Sequence, residues 1–441
     1  MEKYREENEL RKQTEKTVTK KKQTRRTAAV AICLAVLCAL LCASCSSGQE
    51  GGNKGQETAA SEKAEAGQAA AASEKAEADR EAVTADPADA GQQASTSDKA
   101  EAVQQGATQA AAAEEETMSE GTDTPCEVSS AQYTGSFSSM FLSEGDLVAV
   151  ISPSALPTRK QVDAVVKGLK EWGYETIEGQ HVCDKTRTLD DCIEDLLWAL
   201  EEPSIKAVFC VRGGYGASEV MDEIMLDSIS SAGKLIIGYS DITVYHSAWT
   251  MAGLPSVHAS MSAAFMDLPE PCREVEQKML RGELPAYTCP STDRCIAGEA
   301  EGILIGGNLS TFTSVIGTEY DSTKTDQPYI LFLEDESENL QHIHRYLTIL
   351  KHAGVLDRAA GIIFGEWADI PTDLGDYNGN SRGGTFESVS DMISRQFLQG
   401  LDIPVAFGLP AGHAETNYPL LMGEKAHLSV SEESFTLDWE Q

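Results

Sequence analysis

The stretch Lys234-Leu-Ile-Ile-Gly-Tyr-Ser-Asp-Ile-Thr-Val-Tyr-His246 runs from a short apolar strand, through Gly-Tyr-Ser-Asp, straight into a helix. A buried strand that turns at once into a helix is the repeating join of an α/β sheet. Ser240 at that join has two readings. It is either a helix cap satisfying free N–H groups, or a nucleophile whose hydroxyl is exposed by the turn and served by nearby amides. The hydrolase elbow Gly-x-Ser-x-Gly is not present, because Ile242 stands at the last position.

Working outward, the same alternation recurs. Asp146-Leu-Val-Ala-Val-Ile151, Tyr174-Glu-Thr-Ile177 and Ala207-Val-Phe-Cys-Val211 are expected strands. Between them lie helices with one apolar face, carried by Val162, Val165, Val166 and Leu169, then by Ile193, Leu196, Leu197 and Leu200. This order predicts a mostly parallel sheet covered on both faces. Ligands of such sheets bind beyond the carboxyl ends of the strands. Two loops sit there, Arg212-Gly-Gly-Tyr-Gly216 and Gly238-Tyr-Ser-Asp241. The first lacks both the Gly-x-Gly-x-x-Gly and the Walker spacing. It reads as a plain turn or as a pocket for an oxyanion or carboxylate.

Further along, strands are expected at Gly302-Ile-Leu-Ile305, Tyr329-Ile-Leu-Phe-Leu333, Gly361-Ile-Ile-Phe364, Val405-Ala-Phe407 and Ala426-His-Leu-Ser-Val430. One long helix is expected, at about 340–352. This half is richer in sheet. Glu334 and Asp335 directly follow a buried strand, and His413 lies in the loop Pro410-Ala-Gly-His-Ala-Glu-Thr-Asn417. A loop histidine beside glycine is a better base candidate than His342, His344 or His352, which lie on or near a helix at spacings that share no metal face.

The formal net charge is −35, which argues against a nucleic-acid partner. Near the N-terminus the basic run Lys20-Lys-Lys-Gln-Thr-Arg-Arg26 precedes the apolar stretch 28–43, which is shorter than a membrane span and suits a secretory signal. Cys45 follows Ala43 and Ser44, in a setting that resembles a bacterial lipobox, although Cys42 stands where Leu is preferred. From 46 to 140 the chain is Ala, Glu, Gln, Ser, Gly and Lys, with the repeat Ala60-Ser-Glu-Lys-Ala-Glu-Ala66 recurring at 72–78. Such a segment cannot bury enough apolar area to order itself, so a disordered tether is expected. Beyond Cys45 the cysteines lack CxxC spacing, so no zinc site is expected. Cys183/Cys192 and Cys289/Cys295 are close enough in sequence to be disulfide candidates in an exported protein.

Several stretches together resemble the LD-carboxypeptidase (muramoyltetrapeptide carboxypeptidase) family of serine peptidases, which includes the microcin C immunity peptidases. They are Gly145-Asp-Leu-Val-Ala-Val-Ile-Ser-Pro-Ser154, Arg212-Gly-Gly-Tyr-Gly216, Gly238-Tyr-Ser-Asp241, Gly302-Ile-Leu-Ile-Gly-Gly-Asn-Leu309, Leu333-Glu-Asp335 and Gly412-His-x-x-x-Asn417. The resemblance implies a flavodoxin-like N-terminal α/β domain with a parallel sheet, then a sheet-rich, barrel-like C-terminal domain, often as a homodimer. It implies Ser240 as nucleophile, His413 as base and acid, and Glu334 as the acid that orients it. The backbone amides of Gly214 and Asp241 match the oxyanion hole. Arg212, with Tyr215 beside it, is a candidate for the substrate carboxylate, and Arg212 could equally support its loop. No metal or cofactor is implied. The expected substrate is a murein tetrapeptide that loses its terminal D-alanine.

The expected organisation is a signal over 1–45, a linker over 46–140, the nucleophile's domain over 141–268, an interdomain linker over 269–294 and a second domain over 295–441. A lipid anchor on Cys45 would place the enzyme on the membrane, outside the cytoplasm. Two departures stand out: His258-Ala-Ser-Met261 replaces a common His-Gly-Pro, and a long stretch, 366–390, precedes the His413 loop. Two other readings compete: an immunity-type peptidase cleaving peptide- or aminoacyl-nucleotide amides, and a non-catalytic lipoprotein that binds wall peptides. Failure of Ser240, Glu334 and His413 to converge would favour the second.

Overall fold

A computed structural model of the chain describes residues 126–261, 264–370 and 386–439. The signal-like segment, Cys45, the tether up to residue 125 and the part of the 366–390 stretch at 371–385 lie outside the described residues.

Fourteen strands are present among the described residues. In the first half they are β1 (Glu127–Gln132), β2 (Leu147–Ile151), β3 (Glu175–Glu178), β4 (Ile205–Cys210), β5 (Leu235–Gly238), β6 (Ser256–His258) and β7 (Glu283–Pro290). In the second half they are β8 (Gly298–Asn308), β9 (Tyr329–Glu336), β10 (Gly361–Ala368), β11 (Val405–Phe407), β12 (Leu420–Met422), β13 (Lys425–Val430) and β14 (Ser434–Trp439). They form two sheets. One has the order β12-β6-β5-β4-β2-β3, and the other β1-β7-β14-β13-β8-β9-β10-β11.

In the first sheet β3, β2, β4, β5 and β6 are mutually parallel. Their continuous apolar runs follow from burial on both faces: Val148, Val150, Val208, Phe209, Ile236 and Ile237 are all fully buried. The helices Arg159–Glu171 and Leu189–Glu201 cover it. Each begins with a capping box, from Thr158 with Gln161 and from Thr188 with Asp191. Val162, Val165 and Leu169 face inward as the spacing predicts, whereas on the second helix Ile193 and Leu197 are only half-buried and Cys192 and Ala199 share the inner face with Leu196 and Leu200.

The second sheet is parallel from β8 through β11 and antiparallel from β13 through β1. An isolated bridge between Ile296 and Val405 brings the lead-in to β8 against the edge strand β11. That contact curls this half of the sheet toward a barrel. The helix Leu340–His352 is formed as expected, capped by Asn339. No helix of the described residues is long and apolar enough to cross a membrane.

Three expectations need correction. The interdomain linker placed at 269–294 is instead a helix, Glu270–Leu280, followed by β7. The linker placed at 46–140 ends too late, because β1 pairs along its whole length with β7. β1 is an edge strand with mostly exposed side chains, so no apolar run marks it in the sequence. The disulfide joins Cys126 to Cys289, across 163 residues, while Cys183, Cys192 and Cys295 are free thiols. Proximity in sequence was the wrong guide: register between β1 and β7 sets that pair.

The two halves also exchange strands. β1, from the start of the described chain, lies in the second sheet, and β12, from near its end, pairs antiparallel with β6 in the first. The segment 408–419, which carries His413, therefore crosses from β11 in one sheet to β12 in the other. This crossing brings the histidine to the carboxyl end of β5.

Candidate active site

Ser240 follows β5 and opens a short 3-10 turn, Ser240–Ile242, ahead of the helix Thr243–Met251. Its φ is +63°, the left-handed region that L-residues enter at about 1–2 kcal/mol. Tyr239 holds the cap position, and no side chain caps the turn. The capping role that the sequence left open for Ser240 is thus not the one adopted. The strained backbone instead turns its half-buried hydroxyl into a cleft of about 360 Å³.

The Arg212 loop packs directly on this turn. A Cβ on Gly213 would lie 2.8 Å from Ser240 Cβ and 3.2 Å from the Asp241 nitrogen. Glycine is therefore required for the two loops to meet. Among the described residues, neither the Gly214 nor the Asp241 N–H donates a hydrogen bond within the protein. The Asp241 carboxylate is buried, accepting from the Ala217 N–H at 2.9 Å and from the Ser154 hydroxyl. Burial raises its pKa against those two bonds. Asp241 thereby ties the loop after β2 to the loop after β4.

Glu334 and His413 meet from the other side. Glu334 lies on β9 and is fully buried, and its Oε2 is 2.8 Å from His413 Nδ1. Gly412 has φ +131°, and a Cβ there would sit 2.7 Å from Glu334 Oε2. The Gly412 N–H donates to Asn417 Oδ1 at 2.9 Å, and Asn417 Nδ2 donates to Ser260 Oγ at 3.0 Å. The His413 ring rests against the Tyr239 ring, 4.6 Å between centroids. Burial opposes the imidazolium, but the Glu334 charge and hydrogen bond, with Glu336 and Asp335 behind them, outweigh it, so the His413 pKa is raised.

Ser240, His413, Arg212, Gly213, Gly214, Tyr239, Asp335 and Glu336 all line the one cleft. Arg212 donates from Nη1 to the Leu156 carbonyl at 2.9 Å, so it supports its loop as well as facing the cleft. Tyr215 is not brought there. It is 73% exposed, with its hydroxyl 3.4 Å from Glu219. Asp335 serves as a brace: its carboxylate accepts from Asn308 Nδ2 and the Ser310 N–H, and burial pushes its pKa up to about 6. His258, from the departing His-Ala-Ser-Met stretch, is fully buried beside Tyr239 and Phe332, and burial lowers its pKa well below the ordinary value.

Two residues of the site were not among the candidates. Asn417 had a signal, its fixed place four residues beyond His413. Glu336 had one too: strand period two sets it on the same face as Glu334, and its Oε1 lies 3.4 Å from His413 Nε2. Chemically, a hydroxyl on a strained turn, an imidazole held by a buried carboxylate and two uncommitted N–H groups in one cleft suit acyl transfer.

Comparison with known proteins agrees with this chemistry. The LD-carboxypeptidase N-terminal domain matches residues 148–259, and the LD-carboxypeptidase C-terminal domain matches 301–428. A Streptomyces coelicolor relative that bears a carboxypeptidase name is 31% identical over 314 residues, covering 67% of this chain and 94% of its own length. The murein tetrapeptide carboxypeptidase of Pseudomonas aeruginosa is 27% identical over 304 residues, covering 64% of this chain and 92% of its own. The crystal structure of muramoyltetrapeptide carboxypeptidase from Oxalobacter formigenes superposes with a TM-score of 0.59 at 25% identity, covering 67% of this chain and 99% of that one.

Proposed function

The chain belongs to the LD-carboxypeptidase family and is a serine carboxypeptidase, and from that premise we propose that it releases the terminal D-alanine of murein tetrapeptides through Ser240, His413 and Glu334. The observation that carries the proposal is the shared cleft. Ser240 and His413 line it together, and the buried Glu334 holds the far side of the imidazole at 2.8 Å.

In this reading His413 Nε2 takes the Ser240 proton as Oγ attacks the carbonyl of the diamino acid's L-centre. The same nitrogen then gives that proton to the departing amine of D-alanine. Glu334 fixes the tautomer that leaves Nε2 free to accept. The Gly214 and Asp241 N–H groups receive the tetrahedral oxyanion, where each such donor is worth about 10²–10³ in rate. Water, activated by His413 in turn, hydrolyses the acyl-enzyme. Arg212, the cation of the cleft lining, faces the carboxylate of the leaving residue.

The Cys126–Cys289 disulfide supports a setting outside the reducing cytoplasm. That suits the proposed lipid anchor on Cys45 and a cell-wall substrate.

The test is to incubate purified protein with a defined muramoyl tetrapeptide and follow D-alanine release by mass. The wild type is expected to release one D-alanine. Ser240→Ala is expected to lose about 10⁴-fold or more of kcat/KM while still binding the peptide. Peptide binding without release by the wild type would show instead a wall-peptide-binding protein.

A further inference from the structure

The geometry points to Glu336 as the residue that receives the side-chain ammonium of the substrate's diamino acid. The inference rests on the murein-peptide reading above and adds to it the part of the substrate that the triad does not touch.

A peptide cleaved after a diamino acid brings a second amine into the cleft, protonated at neutral pH. An ammonium removed from water needs a counter-charge. Besides the phenol of Tyr239, which is uncharged at neutral pH, four ionisable side chains line the cleft: Arg212, Asp335, Glu336 and His413. Arg212 has the wrong sign. Asp335 is 1% exposed and its oxygens are taken by Asn308, by the Ser310 N–H and by the Glu336 N–H. Glu334, behind the lining, is buried against His413 Nδ1. Glu336 alone among these carboxylates is open to a ligand, with its side chain 44% exposed and, among the described residues, one ionic contact, to His413 Nε2 at 3.4 Å.

That contact gives the inference its second half. Nε2 is the atom that must face Ser240 and the departing amine, yet Glu336 lies beside it. β9 brackets the imidazole, with Glu334 on one nitrogen and Glu336 near the other. Only the Glu334 contact helps orientation for attack. A substrate ammonium, carrying a full charge, is a better partner for Glu336 than a neutral ring, so binding it draws the carboxylate off Nε2. Recognition of the diamino acid and release of the base then become one event.

The experiment compares two muramoyl tetrapeptides, one with lysine at the third position and one with Nε-acetyl-lysine, on wild type, Glu336→Gln and Glu336→Asp. Wild type is expected to favour the free amine by about tenfold or more in kcat/KM. Glu336→Gln is expected to bring that ratio to within about twofold of one, and Glu336→Asp to restore part of it. A structural role for Glu336 would lower both rates and leave the ratio intact, which overturns the inference. Equal cleavage of the two peptides by wild type also overturns it. Cleavage of neither by wild type instead fails the murein-peptide reading on which the inference stands.

Discussion

Between Leu235 and Ile242 the chain passes from a buried strand through a left-handed serine into a helix, and most of what places the Ser240 hydroxyl lies within those eight residues. Between Gly408 and Pro419 it crosses from one sheet to the other, and what places His413 comes from afar. Glu334 is 79 residues away, and Ser260, which accepts from Asn417, is 157 residues from it. The proposed nucleophile is positioned by local geometry and the proposed base by long-range contact. A substitution in the first region should therefore remove chemistry, and one in the second should misplace it.

Glu334→Gln breaks the comparison most severely. The amide keeps the shape of the carboxyl but favours the wrong histidine tautomer, as in related triads, so kcat should fall about 10³–10⁴-fold. Steady-state D-alanine release checks this, and retention of more than about a tenth of the activity would deny Glu334 its role. Gly412→Ala comes next. Its Cβ would meet Glu334 Oε2 at 2.7 Å in a backbone of φ +131°, so the loop must move. A shift of about 1 Å costs on the order of 10²-fold in rate, with the peptide affinity held by the Ser240 side little changed.

The pH profile sharpens the same contrast more gently. In the proposed mechanism His413 must be neutral to accept the serine proton, and its pKa is raised. Activity should therefore fall, as pH drops, above the ordinary histidine value. Glu334, Glu336 and Asp335 supply the charges that raise it, while burial and the neighbouring His258 and Tyr239 surround it without adding positive charge at neutral pH. Glu336→Gln removes one of those carboxylates, so the acid limb of kcat/KM should move to lower pH. A limb that stays in place would mean Glu336 is screened from the ring.

The smallest effect on activity is expected far from the cleft. Replacing Cys126 and Cys289 by serine opens a 163-residue loop, and a disulfide of this kind contributes about 2–4 kcal/mol. Denaturant unfolding should register that loss while kcat/KM stays within about twofold, because the pair ties β1 to β7 rather than either active-site loop.

Much of this was legible in the chain. Strands buried on both faces write continuous apolar runs, so β2, β4, β5 and β9 were readable as such. Turn and motif residues marked Ser240, Glu334 and His413. The edge strand β1 carries no apolar run because its side chains are mostly exposed, and the three-residue strands β6 and β12 are too short to show a period, although the equally short β11 was marked by its apolar Val-Ala-Phe. Their pairing decides that the two halves interleave. The disulfide was missed for the same reason, as register lies between segments and not within one.

By itself the sequence determined the alternation of strand and helix, the strand-to-helix join at Ser240, and the residue types available for acyl transfer. These follow from local sterics and burial, which act over a few residues. Only the tertiary structure decided that 408–419 spans two sheets, that Asn417 anchors the loop, that Glu336 stands beside Nε2 and that Tyr215 faces solvent. Each depends on which distant surfaces pack together, a property of the whole folded chain.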